Sequence, residues 1–364
     1  MRQPIKVFFV CLALALTHLA CVPSAKADVF TDNKYQAAAK KTAGGTLCKS
    51  QQPYYWEIGN TEKIEINGSL GVADNRTGRT LGPRQQNMVG SAGAFLASAL
   101  LIEKAFEKQS RLTAEQIDLL RMRSPYTAPD SAGCTHALTI KSCFGNMGGY
   151  RKTAAGKKYP FYFGAGHLQK LAMDLGFGDT FASQLREAFI DIFGRNNYYG
   201  AFYSTSRLFD GMRITPEGYA RFLRDTMSGK NKMSHLLGSH AACAYAAGDC
   251  KNDVAFTAAP ADKRWRYSLG HWVETDDTRG HGAFSAFSRD GYYVWITADK
   301  QHYGLIAPLR PDMRTKNAAE GLAIDTVDCG RAIREAFRSG IEQTRSEKPC
   351  AQHNTLCWDN NPLR

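Results

Sequence analysis

A chain of 364 residues that is 43% hydrophobic and 22% charged carries enough apolar side chain for a sizeable core, which excludes a disordered or collagen-like protein. The formal charge of +12 falls to +9 once Arg2, Lys6 and Lys26 leave with an N-terminal leader. No basic-aromatic nucleic-acid motif accompanies that excess, so it reads as a solvated surface that would meet envelope polymers or lipid head groups, with no nucleic-acid partner.

In chain order the leader comes first. Arg2 and Lys6 precede an apolar stretch from Val7 to Ala20, too short and too early for a membrane span, and Ala25-Lys26-Ala27 supplies a small-x-small cleavage pattern. This predicts a signal peptide over residues 1–27, a mature start at Asp28, a periplasmic or secreted product and no transmembrane segment after processing. A lipoprotein acylated at Cys21 would want leucine three positions upstream, where His18 stands. Eight cysteines then remain, an even set that in an oxidising compartment reads as disulfides. Proximity suggests Cys134–Cys143, Cys243–Cys250 and Cys350–Cys357. Cys48 and Cys329 are left over, and their pairing would bring the two chain ends together. No Cys-x-x-Cys or His-Glu-x-x-His spacing occurs, and His271 and Glu274 would face opposite sides of a strand, so neither metal nor cofactor is expected.

The mature part, about 337 residues, fits a single large domain or a two-lobed one. A helix or loose leader over 28–50 is followed by strand-like runs, Tyr54 to Ile58 and Lys63 to Val72. From Ser91 to Lys108 the residues are apolar nearly all round, which predicts a central buried helix. Thr113 with Gln116 forms a capping box, helices are expected near 166–175 and 179–193, and Thr215-Pro216 opens one that closes at Gly229. Four strands, 264–274, 282–288, 291–298 and 302–308, read as an antiparallel meander, and a last helix spans 317–343. The fold class is therefore α+β: an antiparallel sheet assembled from both chain ends, with a helical lobe at about 110–260 inserted into an α/β lobe within the single domain 28–364.

This arrangement resembles the penicillin-recognising serine hydrolases, the group of class C β-lactamases, D-alanyl-D-alanine peptidases and esterases. The resemblance rests on Tyr54-Tyr55-Trp56-Glu57-Ile58-Gly59, Met88-Val89-Gly90-Ser91-Ala92-Gly93, Met122 to Thr127, Phe161-Tyr162-Phe163-Gly164-Ala165-Gly166-His167, Gly211-Met212 before Tyr219 to Leu223, and Gly270-His271-Trp272-Val273-Glu274. It covers nearly the whole mature chain and implies the β-lactamase/transpeptidase fold with a nucleophilic serine at the start of the buried helix. In that family a lysine follows three residues later, where it shares a helical face with the serine and can take its proton. Ser91 occupies the serine position, but Ala94 stands where the lysine belongs, and no displaced Ser-x-x-Lys exists in the chain. The tyrosine of the second motif is Tyr162, with Gly164 in place of its asparagine. The third motif, Lys or His, then Ser or Thr, then Gly, has no good match; His281-Gly282 and Ala286-Phe287-Ser288 come nearest.

These substitutions point to a serine β-lactamase-type protein with lost or weak acyl-transfer activity that binds a small-molecule or cell-wall peptide ligand. Two alternatives stay open: an active esterase, amidase or β-lactamase using Ser91 and Tyr162, since a tyrosinate can deprotonate serine, and a non-catalytic envelope protein that holds cell-wall polymer on its basic surface. The residue types alone allow plainer roles: an N-cap or packing role for Ser91, a half-buried ring for Tyr162, a structural imidazole for His167 and a loop position for Ser124.

Overall fold

The computed structural model describes residues 29–128, 134, 136–147, 159–195, 199–259, 263–276, 278–309 and 316–344. Its helices are α1 (Val29–Gly44), α2 (Gly93–Phe106), α3 (Ala114–Leu120), α4 (Ile140–Asn146), α5 (Gly166–Ala172), α6 (Ala182–Phe193), α7 (Pro216–Met227), α8 (Met233–Leu236) and α9 (Lys316–Ser339). The strands are β1 (Tyr54–Gly59), β2 (Ile64–Leu70), β3 (Asn87–Met88), β4 (Phe161–Tyr162), β5 (Phe202–Tyr203), β6 (Met212–Ile214), β7 (Ala242–Cys243), β8 (Val254–Phe256), β9 (Arg266–Tyr267), β10 (Trp272–Glu274), β11 (Ala283–Phe287), β12 (Tyr293–Ile296) and β13 (Tyr303–Pro308).

Eight of these strands form one antiparallel sheet in the order β2-β1-β13-β12-β11-β10-β9-β7. The join between the chain ends is β1 against β13, with Trp56 opposite Ile306. Every residue of β1, β12 and β13 is buried, so these strands read as continuous apolar runs instead of alternating ones. Their cover comes from α9 and α7, both packed on β12 and β13. The fold is thus α+β, with the sheet drawn from residues 54–70 and 242–308 and helices α2 to α8 between.

Three expectations on disulfides meet their cysteines: Cys48–Cys329, Cys134–Cys143 and Cys243–Cys250 are bonded. The first spans 281 residues and locks α1 beside α9. Tyr54 Oη donates to the Ala43 carbonyl at 2.6 Å, and the Gln343 amide donates to Thr42 Oγ1 at 2.9 Å, so the same seam is also hydrogen-bonded. Cys350 and Cys357 lie outside the described residues, as do residues 1–28 with their leader pattern. Among the described residues no helix is long and apolar enough to cross a membrane.

The local signals act as their chemistry requires. Thr113 accepts from the Gln116 amide while Gln116 accepts from the Thr113 amide, and Thr215 caps α7 with Pro216 in its first turn. The expected strand 264–274 is instead two short strands, β9 and β10, folded back on each other. Gly270 lies in the intervening turn at φ +84°, and a Cβ there would stand 2.0 Å from Ser98 Oγ of α2. The sequence reading also lacked α4, whose box is Thr139 with Ser142, and β7, which extends the sheet beyond β9.

The end of the sheet nearest α9 holds a buried charge cluster. Glu274 accepts from Arg334 at 2.5 Å and from Tyr293 Oη at 2.6 Å, and Arg331 approaches it at 3.5 Å. Arg331 also pairs with Asp276, which takes a further bond from Trp265 Nε1 at 2.6 Å. On the same sheet Glu57 is buried, which pushes its carboxyl up against the hydrogen bonds it accepts from Tyr55 and Tyr303.

Candidate active site

Ser91 is delivered by a tight sequence of constraints. The Val89 amide bonds the Met212 carbonyl at 3.2 Å, which ties the chain leaving β3 to the small sheet β3-β6-β5. Gly90 then adopts φ +53°, and a Cβ there would lie 2.7 Å from Asp290 Oδ2 and 2.9 Å from Ser288 Cβ, so glycine alone fits. A 3₁₀ turn over Gly90–Ala92 runs into α2, and Tyr219 Oη clamps that junction by donating to the Ala92 carbonyl at 2.7 Å. Ala94 follows as a buried apolar position in a helix whose residues from Gly93 to Ile102 are all buried.

The Ser91 hydroxyl donates to the backbone carbonyl of Phe287 at 3.0 Å. Among the described residues no amine or imidazole hydrogen-bonds this oxygen. A peptide carbonyl has no useful basicity, so the bond holds the proton without activating the hydroxyl. Phe287 ends β11, and the turn after it, residues 288–291, brings Asp290 against Gly90. Of the two nearest matches to the family's third motif, Ala286-Phe287-Ser288 therefore lies beside Ser91. His281-Gly282 is at the opposite end of β11, six residues or roughly 20 Å away, with His281 Nε2 on Glu335 of α9 at 3.1 Å.

Tyr162 lies on β4, which pairs in parallel with β8 and leads into α5, the helix packed against α2. Its amide donates to the Met122 carbonyl at 3.0 Å and its half-buried ring packs against Phe256 at a tilt, with centroids 5.3 Å apart. The missing asparagine has a steric explanation. A Cβ on Gly164 would stand 2.1 Å from the Thr127 carbonyl oxygen, and one on Gly166 would stand 2.5 Å from that of Tyr126. The backbone of residues 126–128 fills the space that a larger side chain would need.

That loop is held by a pairing that sequence reasoning missed. Ser124 Oγ lies 2.7 Å from His167 Nδ1, and His167 Nε2 lies 3.0 Å from the Tyr162 carbonyl. A carbonyl only accepts, so Nε2 carries the proton and Nδ1 accepts from the Ser124 hydroxyl, whose oxygen accepts in turn from the Tyr126 amide at 3.3 Å. The arrangement has the polarity of a serine with its base. Both residues are buried, however, and their bonds tie the 124–128 loop to α5 and to the Tyr162 carbonyl of β4, so the pair positions Tyr162 and residues 124–128. Forty-three positions separate Ser124 from His167, and no spacing signal links them.

Burial lowers the imidazole of His167 to about 4 and that of His271 to about 3. His271 donates from Nδ1 to the Leu269 carbonyl and accepts from the Gly238 amide, so it too is neutral in the fold. In an unfolded chain both take a proton near pH 6.5, so the unfolded state binds more protons between that pH and the folded values, and stability falls with acidification across this window. Each histidine is expected to contribute roughly 2–3 kcal/mol of loss between pH 6.5 and 4. Urea midpoints at pH 7, 5.5 and 4 check this: His271→Gln should flatten the dependence, whereas an unchanged slope contradicts it. Glu57, raised by burial, acts with the opposite sign and is present in both proteins.

Among the described residues the one grouping with metal-like spacing is Cys243, Asp249 and Cys250, and its two sulfurs are joined to each other. It offers no thiolate.

No protein-family model matches the sequence, and no curated protein matches it. Solved structures do. The D-amino acid amidase of Ochrobactrum anthropi SV3 superposes with a TM-score of 0.57 at 9% identity, covering 84% of this chain and 98% of that one. The fold is that of the serine β-lactamases and penicillin-binding proteins. A penicillin-binding protein from Bacillus halodurans gives a TM-score of 0.52 at 14% identity over 80% of this chain and 98% of its own. Simvastatin synthase of Aspergillus terreus gives 0.52 at 11% over 82% and 99%. At such identities the likeness to the β-lactamase/transpeptidase fold concerns architecture, and chemistry has to be argued from the residues in place.

Proposed function

We propose that this is an exported protein of the β-lactamase and penicillin-binding type whose Ser91 cleft binds a small ester, amide or cell-wall peptide with little or no acyl-transfer turnover. The observation that carries the reading is the Ser91 hydroxyl bonded to the Phe287 carbonyl, with buried Ala94 one helical turn on where the family has its lysine. Loss of one member of a coupled nucleophile and base set removes on the order of 4 kcal/mol or more of transition-state stabilisation. Gly164 in the asparagine position adds to the deficit. The amidase and the penicillin-binding protein among the similar folds lend support to this ligand class. The leader pattern and the disulfides support export.

The test is turnover of a nitrophenyl ester and of nitrocefin by the full mature chain and by Ser91→Ala. Equal, near-background rates in both proteins are expected. Turnover by the parent that disappears in the variant would overturn the reading and favour a working hydrolase in which Tyr162 serves as base.

A further inference from the structure

A cavity of about 550 Å³ lies between the sheet and the pair α1 and α9, and it contains none of the residues placed around Ser91. Side chains alternate across a strand. Glu57 of β1 meets Tyr303 and, through it, Arg224 of α7, so its neighbour Ile58 points to the other face, where it joins Ala283 and Trp295 as the cavity floor. Tyr35 of α1, Phe337 of α9 and His302, whose ring meets that of Phe337 edge-on at 5.2 Å, form an aromatic wall. The volume is that of a small-molecule site, and such sites are mostly apolar with a few polar groups that fix orientation.

The charges decide which ligand the cavity suits. Its two guanidinium groups are already neutralised: Arg334 by Glu274 at 2.5 Å, and Arg338 by Glu335 at 2.8 Å, which also takes His281. Its two carboxylates are not. Glu65 Oε1 accepts from the uncharged Asn60 amide at 2.6 Å, while Oε2 faces the His302 imidazole at 3.6 Å, too far for a hydrogen bond and charged only when protonated. Asp299 Oδ1 accepts from Thr297 Oγ1 at 2.6 Å and the Gln301 amide at 3.0 Å, both neutral, and its Oδ2 has no hydrogen-bond partner among the described residues. Both carboxylates border His302, since Asp299 belongs to the turn that the Thr297 amide closes on the His302 carbonyl at 2.9 Å. Both are also reachable from solvent: the Glu65 side chain is 18% exposed, and Asp299 is exposed at the mouth. Unneutralised carboxylates beside aromatic rings suit an organic cation, which gains from the opposite charge and from the ring quadrupoles.

We propose that this cavity is a second ligand site, independent of Ser91, for an organic amine, with the ammonium at Glu65 and Asp299 and the apolar body against Tyr35, Phe337 and Trp295. Tryptamine is the probe, and titration calorimetry of the mature chain at pH 8 is the readout. Tryptophol, in which a hydroxyl replaces the ammonium, is its neutral counterpart, and indolepropionate its anionic one. Glu65→Gln with Asp299→Asn removes both charges and keeps the oxygens that accept from Asn60, Thr297 and Gln301, so the fold should survive, which a thermal melt within a few degrees of the parent verifies. Expected are saturable one-to-one binding of tryptamine and binding of tryptophol and indolepropionate weaker by about tenfold or more. The double variant should hold tryptamine no better than the parent holds tryptophol, and Ser91→Ala should change nothing. Absence of saturable tryptamine binding, equal or tighter binding of tryptophol or indolepropionate, or full affinity in the folded double variant would each overturn the proposal. Dependence on Ser91 would do so as well, by moving the ligand to the other site.

Discussion

Arg334→Met is expected to lower the free energy of unfolding by about 3–5 kcal/mol, the cost of breaking a buried ion pair and leaving its carboxylate to the more distant Arg331 alone. Glu274 is fully enclosed, and its carboxylate is shared among Arg334, Arg331 and Tyr293. Methionine keeps most of the packing against Trp295 but removes the charge and the hydrogen bonds to Glu274, Tyr293 and the Arg279 and Gly280 carbonyls. The cluster also fastens α9 to β10, so its loss should loosen the seam that the Cys48–Cys329 bond closes from the other side. A second substitution separates charge from packing. Glu274→Gln in the Arg334→Met background should recover more than half of the loss, because the stranded carboxylate is gone. Urea denaturation of the parent, both single variants and the double variant measures the coupling. Additive losses would mean that the two side chains act independently.

Ala94→Lys should have the largest effect on chemistry. It places an amine three residues after Ser91 on the same face of the helix, where it can compete with the Phe287 carbonyl for the serine proton. A restored general base is expected to raise covalent labelling of Ser91 by a fluorophosphonate by roughly 10²-fold or more. The stem enters a packed position, so a stability loss of about 1–3 kcal/mol should accompany the gain. Labelling rates of parent and variant, with Ser91→Ala in the same background as control, decide the matter. A folded variant that labels no faster would mean that more than the base was lost, and Gly164, with its space taken by the Thr127 carbonyl, is the first place to look.

What the sequence disclosed and what it hid follow from the range of the interactions. The buried helix α2 was legible because ten consecutive enclosed positions leave no polar face, and the caps at Thr113 and Thr215 because capping spans three residues. The Cys48–Cys329 bond came from arithmetic on leftover cysteines. The turn within 264–274 was hidden, because Gly270 is needed there only by its approach to Ser98, some 170 positions upstream. At the site, the place of Ser91 and the absence of lysine were visible, as were the two weak matches to the third motif. Which match approaches Ser91 was not, since the Phe287 carbonyl is 196 positions away and is contributed by backbone, which leaves no trace in residue type. The Ser124–His167 pair and the sharing of Glu274 are similarly long-range.

If Ser91 holds the proposed nucleophile position, its proton meets, among the described residues, only the Phe287 carbonyl. Intact mass of the purified mature chain after long incubation with a fluorescent penicillin and, separately, a fluorophosphonate tests this most directly. An unchanged mass with both reagents is expected. A stoichiometric increase that maps to the Ser91 peptide contradicts it.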